Sequence, residues 1–353
     1  MPIKRNSIFN YNPATLFPLT IYADACRVSL DDEKVGPSTT AMTTTTEYHM
    51  SDALLHHFSA LGAVKVGEPM RTHTTFRTGG PADVLLCPRD AAATAEAVRI
   101  AVDNSIPLTV IGGGSNLLVG DRGIRGLTIR CAYDGPAGEG LRLETDGAVY
   151  ADAFVKKSEF IQFCIDRGLE GMEFMAGIPG CLGGGIVMNA GTTLGNFSDI
   201  VRRVVYVDTA GTIREMPVTK DMAGYRRLEI GGNPIITGAY FALKESADTG
   251  AVRGRIRGIL QERSAKHPLD YPSAGSVFKN PDGHSSWKLI NDAGLRGCRI
   301  GGAMVSELHT NFIINFDNAT SKDILNCIEH VRERVLARFG LVLEPEIRVI
   351  GEI

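Results

Sequence analysis

Apolar residues recur with regular spacing from residue 51 onward, and this spacing predicts the first helix of the chain. Ser51 is a suitable N-cap for this helix, and Gly62 is a suitable residue to end it. The apolar residues between them share one helical face. They are Leu54, Leu55, Phe58 and Leu61. The pattern indicates a short helix that packs on a core through this face.

A strand–helix–strand unit follows the first helix. Residues 82–87 form an apolar run typical of a strand, and residues 108–111 form a second one. Between them, Asp90 is an N-cap for an alanine-rich helix that extends to about Asp103. The second strand leads directly into a run of three glycines, so the unit ends where the backbone is free to turn.

A long helix is predicted near the C-terminus, over residues 322–339. Its apolar residues lie on one face, at the spacing of an amphipathic helix. They are Ile324, Leu325, Ile328, Val331, Val335 and Leu336. We interpret this face as a packing surface.

The first 48 residues have a different character from the rest of the chain. Pro18 interrupts their main apolar patch, and residues 39–46 are rich in threonine. Because no periodic apolar face is present, we predict a disordered tail at residues 1–48, or translation from Met42 or Met50. The same Pro18 argues against a secretory signal peptide.

Length and composition narrow the class of protein. A chain of 353 residues exceeds what one hydrophobic core usually spans, which predicts two or three domains. The net charge of -3 provides no general electrostatic footprint for nucleic acid or an anionic membrane. No apolar run reaches the roughly 18 residues of a membrane helix. We therefore expect neither nucleic-acid binding nor membrane insertion.

The seven cysteines are odd in number and form no CxxC pair, which argues against a disulfide framework and a thiolate zinc site. A reducing cytosol is the simplest compartment, and we expect a cytoplasmic protein. Among the histidines only His56 and His57 are adjacent, and neighbours on a helix point about 100° apart. We predict no metal site.

A glycine-rich loop after the second strand is the first candidate for binding chemistry. Its residues are Gly112, Gly113, Gly114, Ser115 and Asn116. Successive backbone N–H groups without Cβ atoms nearby form a concavity for anions, so this loop is a candidate diphosphate cradle. It is not the usual dinucleotide fingerprint, because the third glycine would fall at Leu117. A tight glycine turn is the alternative interpretation.

A second glycine-rich segment strengthens the interpretation as a binding site. The candidate cofactor-binding residues in it are Gly177, Ile178, Pro179, Gly180, Gly183, Gly184, Asn189 and Gly191. So many glycines destabilise a helix or strand. This loss of stability is expected where the backbone must come close to a flat ligand. A pair of bulged turns is the alternative. Two such loops favour one extended nucleotide cofactor that lies across both.

Six segments in order along residues 67–353 together carry a family resemblance. They are TTFRTGGPAD at 74–83, GGGSNLL at 112–118, GIPG at 177–180 with NAG at 189–191, SAGSVFKNP at 273–281, VSELHTNF at 305–312 and LEPEI at 343–347. Through these segments the chain resembles the UDP-N-acetylenolpyruvoylglucosamine reductase (MurB) family of bacterial cell-wall enzymes. Collinear segments are more specific than any one of them.

The resemblance implies an α/β (α+β) fold with a two-part FAD-binding module and a C-terminal α/β substrate-binding domain. The implied parts are a tail at 1–48, FAD-binding subdomains at 49–118 and 119–246, and a substrate domain at 247–353. In the family, NADPH reduces the FAD, and UDP-N-acetylenolpyruvoylglucosamine is then reduced to UDP-N-acetylmuramate for peptidoglycan synthesis. The implied activity is that of a UDP-N-acetylmuramate dehydrogenase, and we expect a monomer.

The resemblance also implies residue roles. Arg226 matches the arginine that stabilises the developing enolate, Glu346 matches the glutamate that assists at the carboxylate, and Ser276 matches the serine that delivers the proton. Lys279 and Asn280 match positions near the nucleotide end of the substrate.

Two further observations concern these roles. The family commonly has a serine two residues after the matched arginine, whereas Leu228 stands here. This difference leaves open which residue holds the Arg226 side chain in position. Lys266, His267 and Tyr271 lie in a polar loop before Ser276, and we interpret them as surface residues.

Two other functions stay open at this point. One flavin-binding fold hosts many reactions, so the chain is alternatively another FAD-dependent oxidoreductase. A nucleotide-sugar binding protein without turnover is the third possibility. The match around Lys279 and Asn280 argues against the former, and the presence of Ser276, Arg226 and Glu346 together argues against the latter.

Overall fold

The computed structural model describes residues 50–132 and 140–353. The tail predicted at residues 1–48 lies outside the described residues. Within the described part the chain forms a mixed α/β fold with three main sheets, which confirms the predicted fold class.

The first unit is a four-stranded sheet in the order β1-β2-β5-β3, in which β1 is antiparallel and the other three strands are parallel. Its elements are α1 (Asp52–Ser59), β1 (Gly62–Pro69), β2 (Pro81–Pro88), α2 (Ala91–Asp103), β3 (Leu108–Ile111), β4 (Leu117–Val119) and β5 (Ile124–Arg130). The predicted strand–helix–strand unit is confirmed as β2, α2 and β3, and β5 lies between its strands. The sheet therefore continues past residue 118, where the sequence suggested a boundary.

The caps predicted for the first two helices are confirmed. The Asp90 carboxylate accepts a hydrogen bond from Ala93 N at 2.7 Å, and the Ser51 hydroxyl accepts one from Leu54 N at 3.4 Å. The predicted end of α1 at Gly62 is wrong by three residues, because the helix stops at Ser59. Gly62 instead begins β1, where an added Cβ would lie 2.0 Å from the carbonyl oxygen of Cys87.

The second unit is a five-stranded antiparallel sheet in the order β12-β11-β15-β7-β6, with short hairpins and helices around it. Its elements are β6 (Leu141–Leu143), β7 (Val149–Asp152), α3 (Lys157–Asp166), β8 (Leu169–Glu170), α4 (Leu182–Val187), β9 (Gly191–Thr192), β10 (Gly195–Asn196), α5 (Phe197–Ile200), β11 (Val201–Val207), β12 (Ile213–Pro217), β13 (Ala223–Gly224), β14 (Arg227–Leu228), β15 (Ile235–Phe241), β16 (Lys244–Glu245) and α6 (Thr249–Lys266).

The third unit is a four-stranded antiparallel sheet in the order β17-β20-β19-β18, covered by the long helix α8. Its elements are β17 (Ser273–Ser276), α7 (Ser286–Asp292), β18 (Arg299–Ile300), β19 (Ala303–Val305), β20 (Phe312–Asn315) and α8 (Ser321–Phe339). The final strand β21 (Arg348–Ile350) leaves this unit and pairs in parallel with β4 of the first unit. This return brings residues just before β21 back to the first glycine loop.

The cores explain why the first two units form one body. A single buried cluster joins Val84 and Leu86 of β2 to residues of the second sheet, and it includes Val252 and Ile256 of α6. The alternate residue Leu85 faces a smaller cluster on the other side of the first sheet. Burial on both faces accounts for the continuous apolar run in β2. The third unit has its own core, and α8 contributes to it through the predicted apolar face, except for Leu336, which is exposed.

Within the described residues, no helix is both long enough and apolar enough to cross a membrane. The described cysteines are all free thiols.

Candidate active site

A cleft with a volume of about 310 Å³ lies where the three units meet, a size typical of small-molecule sites. Its wall includes both glycine-rich loops, the turn between β13 and β14, the end of β17, and residues 346 and 348 from the C-terminal segment. The structure therefore brings together segments that lie more than 200 residues apart in the sequence.

The first glycine loop lines the cleft with all five of its predicted residues, and its glycines serve different purposes. A Cβ on Gly113 would lie 2.8 Å from Cα of Gly180, so the two glycine loops touch here. Gly114 has φ +66°, and its Cβ would lie 1.9 Å from the His73 carbonyl oxygen. The fold itself therefore requires Gly113 and Gly114. Gly112 has room for a Cβ between Cys131 and Gly184.

Three consecutive glycines at the start of α4 also differ in what they face. A Cβ on Gly183 would lie 2.9 Å from Ala153 Cβ, and one on Gly185 would lie 2.4 Å from the Phe197 ring. Gly184 lines the cleft, and no atom of the described residues outside its own helix lies within 4 Å of the position that a Cβ would take. A side chain at position 184 would fill this part of the cleft. The bare backbone of Gly184 instead leaves space for a large ligand such as FAD to approach closely.

Arg226 occupies the turn of the β13–β14 hairpin in the left-handed region, with φ +59°. For a residue other than glycine this conformation is unusual, and it aims the guanidinium into the cleft. Arg226 Nε lies 2.8 Å from Glu346 Oε1, and Nη1 donates a hydrogen bond to the Gly191 carbonyl at 3.1 Å. Leu228, where the family commonly has serine, is buried in the core. Glu346 and Gly191 thus support Arg226 without it.

Glu346 is held from two sides by its backbone. Its N–H donates to the Val277 carbonyl at 2.7 Å, and its carbonyl accepts from Asn116 Nδ2 at 3.1 Å. The third unit and the first glycine loop therefore fix this residue together. Burial raises the pKa of the Glu346 carboxyl, and the nearby charges of Arg226 and Lys279 act in the opposite direction.

Ser276 ends β17, where it pairs with Phe312 of β20 and lines the cleft half-buried. Within residues 50–132 and 140–353 its hydroxyl forms no hydrogen bond, so it is available to a ligand. The following residue, Val277, accepts the backbone hydrogen bond of Glu346. Ser276 therefore lies one residue from the backbone contact of Glu346, Glu346 contacts Arg226, and all three residues line the cleft.

Five predicted site residues do not line the cleft. Gly177 and Gly180 have positive φ angles and pack against the side chains of Arg263 and Ser115. Asn189 is buried, and its Nδ2 donates to the Gly224 carbonyl at 3.2 Å, which ties the second loop to the Arg226 hairpin. The remaining two predicted residues are Lys279 and Asn280.

Lys279 and Asn280 already have partners within the third unit. The Lys279 ammonium forms an ion pair with Glu344, and Asn280 Oδ1 accepts from Ser286 N at 2.9 Å at the start of α7. The two residues lie beyond Ser276 rather than on the wall. Their predicted substrate contacts stay a prediction.

Four cationic or basic side chains line the cleft, although the sequence analysis did not identify them as site residues. They are Lys157, Arg263, His267 and Arg348. His267 was interpreted as a surface residue, and this is wrong because it is half-buried in the wall. Burial, with the nearby Arg263, His309 and Lys266, lowers the pKa of His267 to about 4. Its imidazole is therefore neutral at physiological pH.

No local pattern identifies these four residues. Lys157 follows Lys156 at the start of a helix, where paired lysines usually face solvent, and Arg263 lies in a helix rich in charged residues. Lys157 and Arg263 lie in the cleft because α3 and α6 pack beside the second glycine loop, whereas His267 follows α6 and Arg348 lies in β21.

Comparison with known proteins gives consistent results for both halves of the chain. Residues 82–217 match the family model described as FAD binding domain, and residues 267–350 match the model described as UDP-N-acetylenolpyruvoylglucosamine reductase, C-terminal domain. The reductase of that name from Geobacter metallireducens is 40% identical over 291 residues, which cover 82% of this chain and 95% of the relative.

Two further comparisons agree with these matches. The reductase from Alkaliphilus oremlandii is 38% identical over 290 residues, covering 82% of this chain and 94% of that protein. The crystal structure of UDP-N-acetylenolpyruvylglucosamine reductase from Thermus caldophilus superposes with a TM-score of 0.67 at 31% identity, covering 81% of this chain and 98% of that one.

Proposed function

The chain belongs to the UDP-N-acetylenolpyruvoylglucosamine reductase family, and on this premise we propose that it reduces UDP-N-acetylenolpyruvoylglucosamine to UDP-N-acetylmuramate with FAD as cofactor and NADPH as reductant. The observation that supports the proposal most strongly is that Arg226, Glu346 and Ser276 line one cleft together with two glycine loops.

The reaction adds one hydride and one proton to the carbon–carbon double bond of the enolpyruvyl ether. Bound FAD would supply the hydride after its reduction by NADPH. The cleft-facing backbone of Gly112 and Gly184 would hold the cofactor, because their missing side chains leave the loop surface open. The chain's own residues must then stabilise charge on the substrate carboxylate and deliver the proton.

Arg226 supplies the fixed positive charge. When hydride reaches the terminal carbon, negative charge develops on the neighbouring carbon and its carboxylate, and a preorganised cation lowers the free energy of that transition state. The strained turn, the Glu346 carboxylate and the Gly191 carbonyl together hold the guanidinium before the substrate arrives. Little reorganisation is then needed during the reaction.

Glu346 is suited to assist at the substrate carboxylate. Because burial raises its pKa, its protonated form persists to higher pH than that of an exposed glutamate. A protonated Glu346 donates a hydrogen bond to a carboxylate oxygen as charge accumulates there. Arg226 keeps further guanidinium N–H donors for the substrate carboxylate besides those that contact Glu346 and Gly191.

Ser276 is the proposed proton donor to the carbon beside the carboxylate. A serine hydroxyl is a weak acid in water, but the carbanion-like centre is strongly basic, and fixed geometry permits the transfer. The hydroxyl has no competing hydrogen bond in the described part of the chain, which supports this role.

The test uses the purified protein under anaerobic conditions. It should carry flavin absorbance, NADPH should bleach it, and UDP-N-acetylenolpyruvoylglucosamine should restore it with formation of UDP-N-acetylmuramate. UDP-N-acetylglucosamine, which lacks the double bond, is the control and should restore nothing. A flavoprotein that NADPH reduces but the enolpyruvyl substrate does not reoxidise would instead be another oxidoreductase, and a protein that binds no flavin would contradict both functions.

A further inference from the structure

A buried lysine lies beneath the point where the two glycine loops meet. Lys157, the first residue of α3, has only 4% of its surface exposed, yet it lines the cleft. Its ammonium donates one hydrogen bond, to the Pro179 carbonyl oxygen at 2.7 Å. An ammonium has three N–H donors, so two are left for another acceptor.

The glycines of the second loop give this side chain its path to the cleft. A Cβ on Gly185 would lie 2.8 Å from Lys157 Cε, and one on Gly180 would lie 3.4 Å from Lys157 Nζ. Larger residues at both positions would crowd the lysine. Gly180 and Gly185 therefore leave room for Lys157 as well as for their closer neighbours Ser115 and Phe197.

The first glycine loop meets the ammonium at the same place. The Ser115 hydroxyl donates to the Pro179 carbonyl at 3.2 Å, the same oxygen that Lys157 uses. A Cβ on Gly180 would lie 2.6 Å from Ser115 Oγ. One cation and one hydroxyl thus converge between two loops whose bare backbone faces the cleft.

The charge of Lys157 has no counter-ion within residues 50–132 and 140–353. The neighbouring residue Lys156 pairs with Glu159, whereas the Lys157 ammonium contacts the neutral Pro179 carbonyl oxygen. Burial lowers the pKa of Lys157 to about 8, and only the Cys181 thiol nearby acts in the opposite direction. A buried cation without an anion is costly, which indicates that a ligand supplies the negative charge.

We propose that the Lys157 ammonium binds a phosphate oxygen of the FAD diphosphate from beneath the junction of the two glycine loops. This inference rests on the proposed function, because it takes FAD as the ligand. Among the other cations of the cleft, Arg226 pairs with Glu346, and Arg263 packs against Gly177 of the second loop. Arg348 lies in β21, where its backbone N–H donates to the Asn116 carbonyl of the first loop. Lys157 is the cation whose contacts lie at the junction of both loops.

The test compares Lys157→Gln and Lys157→Met with the matched control Lys156→Gln, whose side chain is largely exposed. FAD and riboflavin, which lacks the diphosphate, are titrated into each flavin-free protein. Loss of a charge-assisted hydrogen bond should weaken FAD binding by about tenfold to hundredfold at position 157. Riboflavin binding should stay within about threefold, and the control should bind both ligands normally.

Thermal unfolding of the flavin-free proteins separates a ligand contact from a structural brace. Lys157→Met replaces an unpaired buried charge with an apolar side chain of similar length, so its melting temperature should equal or exceed that of the wild type. A marked decrease would show that Lys157 supports the fold, which overturns the inference.

The remaining outcomes are equally decisive. Equal weakening of FAD and riboflavin would mean that Lys157 shapes the wall without contacting the diphosphate, and unchanged FAD binding would mean that it makes no contact. Both overturn the inference and leave the proposed function intact, provided that the wild type binds FAD and reduces the enolpyruvyl substrate. A wild type that binds no FAD overturns both proposals.

Discussion

At the scale of single residues, the Ser276 side chain differs from those of other predicted site residues because its hydroxyl lacks a hydrogen-bond partner among residues 50–132 and 140–353. The Ser276 hydroxyl is free within the described part of the chain, whereas Lys279 and Asn280, three and four residues later, are engaged with Glu344 and Ser286. A free polar group in a cleft is poised for a ligand, and an engaged group must first break a contact. Because its hydroxyl is free among the described residues, Ser276 is the residue at which proton donation can be tested directly.

We expect Ser276→Ala to slow reduction of the enolpyruvyl substrate by about 10²–10⁴-fold, the usual loss for a missing general acid. Reduction of the flavin by NADPH needs no proton from Ser276, so it should stay within about tenfold of the wild type. Rapid mixing measures the two half-reactions separately. A normal rate of reoxidation by the substrate would exclude Ser276 as the donor, and equal losses in both halves would assign it to binding or folding.

Glu346 gives a pH dependence whose direction follows from its environment. Its pKa is raised, so the protonated form that donates to the substrate persists above the usual range for glutamate and is lost as pH rises through that higher value. We expect the rate of substrate reduction to fall across this interval. Glu346→Gln should be slower, by roughly 10²-fold or more, and should lack this decline because an amide does not titrate. A variant that keeps the decline would assign it to another group.

At the scale of elements, helix α4 shows that three adjacent glycines have three separate causes. Gly183 packs against Ala153 and Gly185 against Phe197, whereas Gly184 faces the open cleft. The first two positions are constrained by the protein's own packing, and the third by what the cleft must admit. Substitution at each position therefore tests a different property.

Gly184→Val should lower the affinity for FAD by about tenfold or more, equivalent to ~1.4 kcal/mol, because its side chain would occupy the cleft. The flavin-free fold should be nearly as stable as the wild type, since no described atom outside the helix lies within 4 Å of the added Cβ and valine is a better helix former than glycine. Gly258→Val, in the exposed part of α6, is the matched control and should retain full flavin content. Full flavin retention in both variants would place the cofactor away from α4.

At the scale of the whole molecule, the third unit is joined to the first by polar contacts at the start of α8. Asp121, in the turn between β4 and β5, accepts hydrogen bonds from Ser321 N at 2.8 Å and Lys322 N at 3.0 Å. The Ser321 hydroxyl also contacts the Val119 carbonyl oxygen at 2.5 Å. A carboxylate from another unit thus completes the N-terminus of this helix, where the helix dipole favours negative charge.

We expect Asp121→Ala to destabilise the third unit by about 1 kcal/mol, the usual effect of losing a helix-terminal acceptor. Trp287, the one tryptophan of the chain, lies in α7 of this unit, so its fluorescence reports unfolding there directly. The midpoint of denaturant unfolding should shift to lower concentration, while Asp103→Ala, at an exposed position of α2, should leave it nearly unchanged. An identical midpoint for Asp121→Ala would mean that the contact contributes nothing to docking.

The sequence by itself determined the local elements and the presence of a nucleotide site. The caps at Ser51 and Asp90, the strand–helix–strand unit and the apolar face of α8 follow from interactions within a few residues, which is why their positions were predictable. Both glycine loops were also visible as unusual runs, and the family resemblance identified Arg226, Ser276 and Glu346 as candidates.

Only the tertiary structure decided which of these residues face the cleft and which other side chains line it. Contacts such as Arg226 with Glu346, or Lys157 with Pro179, span loops and units, and no local spacing encodes them. Gly183, Gly184 and Gly185 look alike in the sequence. In the structure, a Cβ on Gly184 would point into the open cleft, whereas a Cβ on Gly183 or Gly185 would collide with neighbouring side chains. The buried charge of Lys157 likewise arises from α3 packing beneath two loops, because burial depends on the surrounding fold and not on the residue itself.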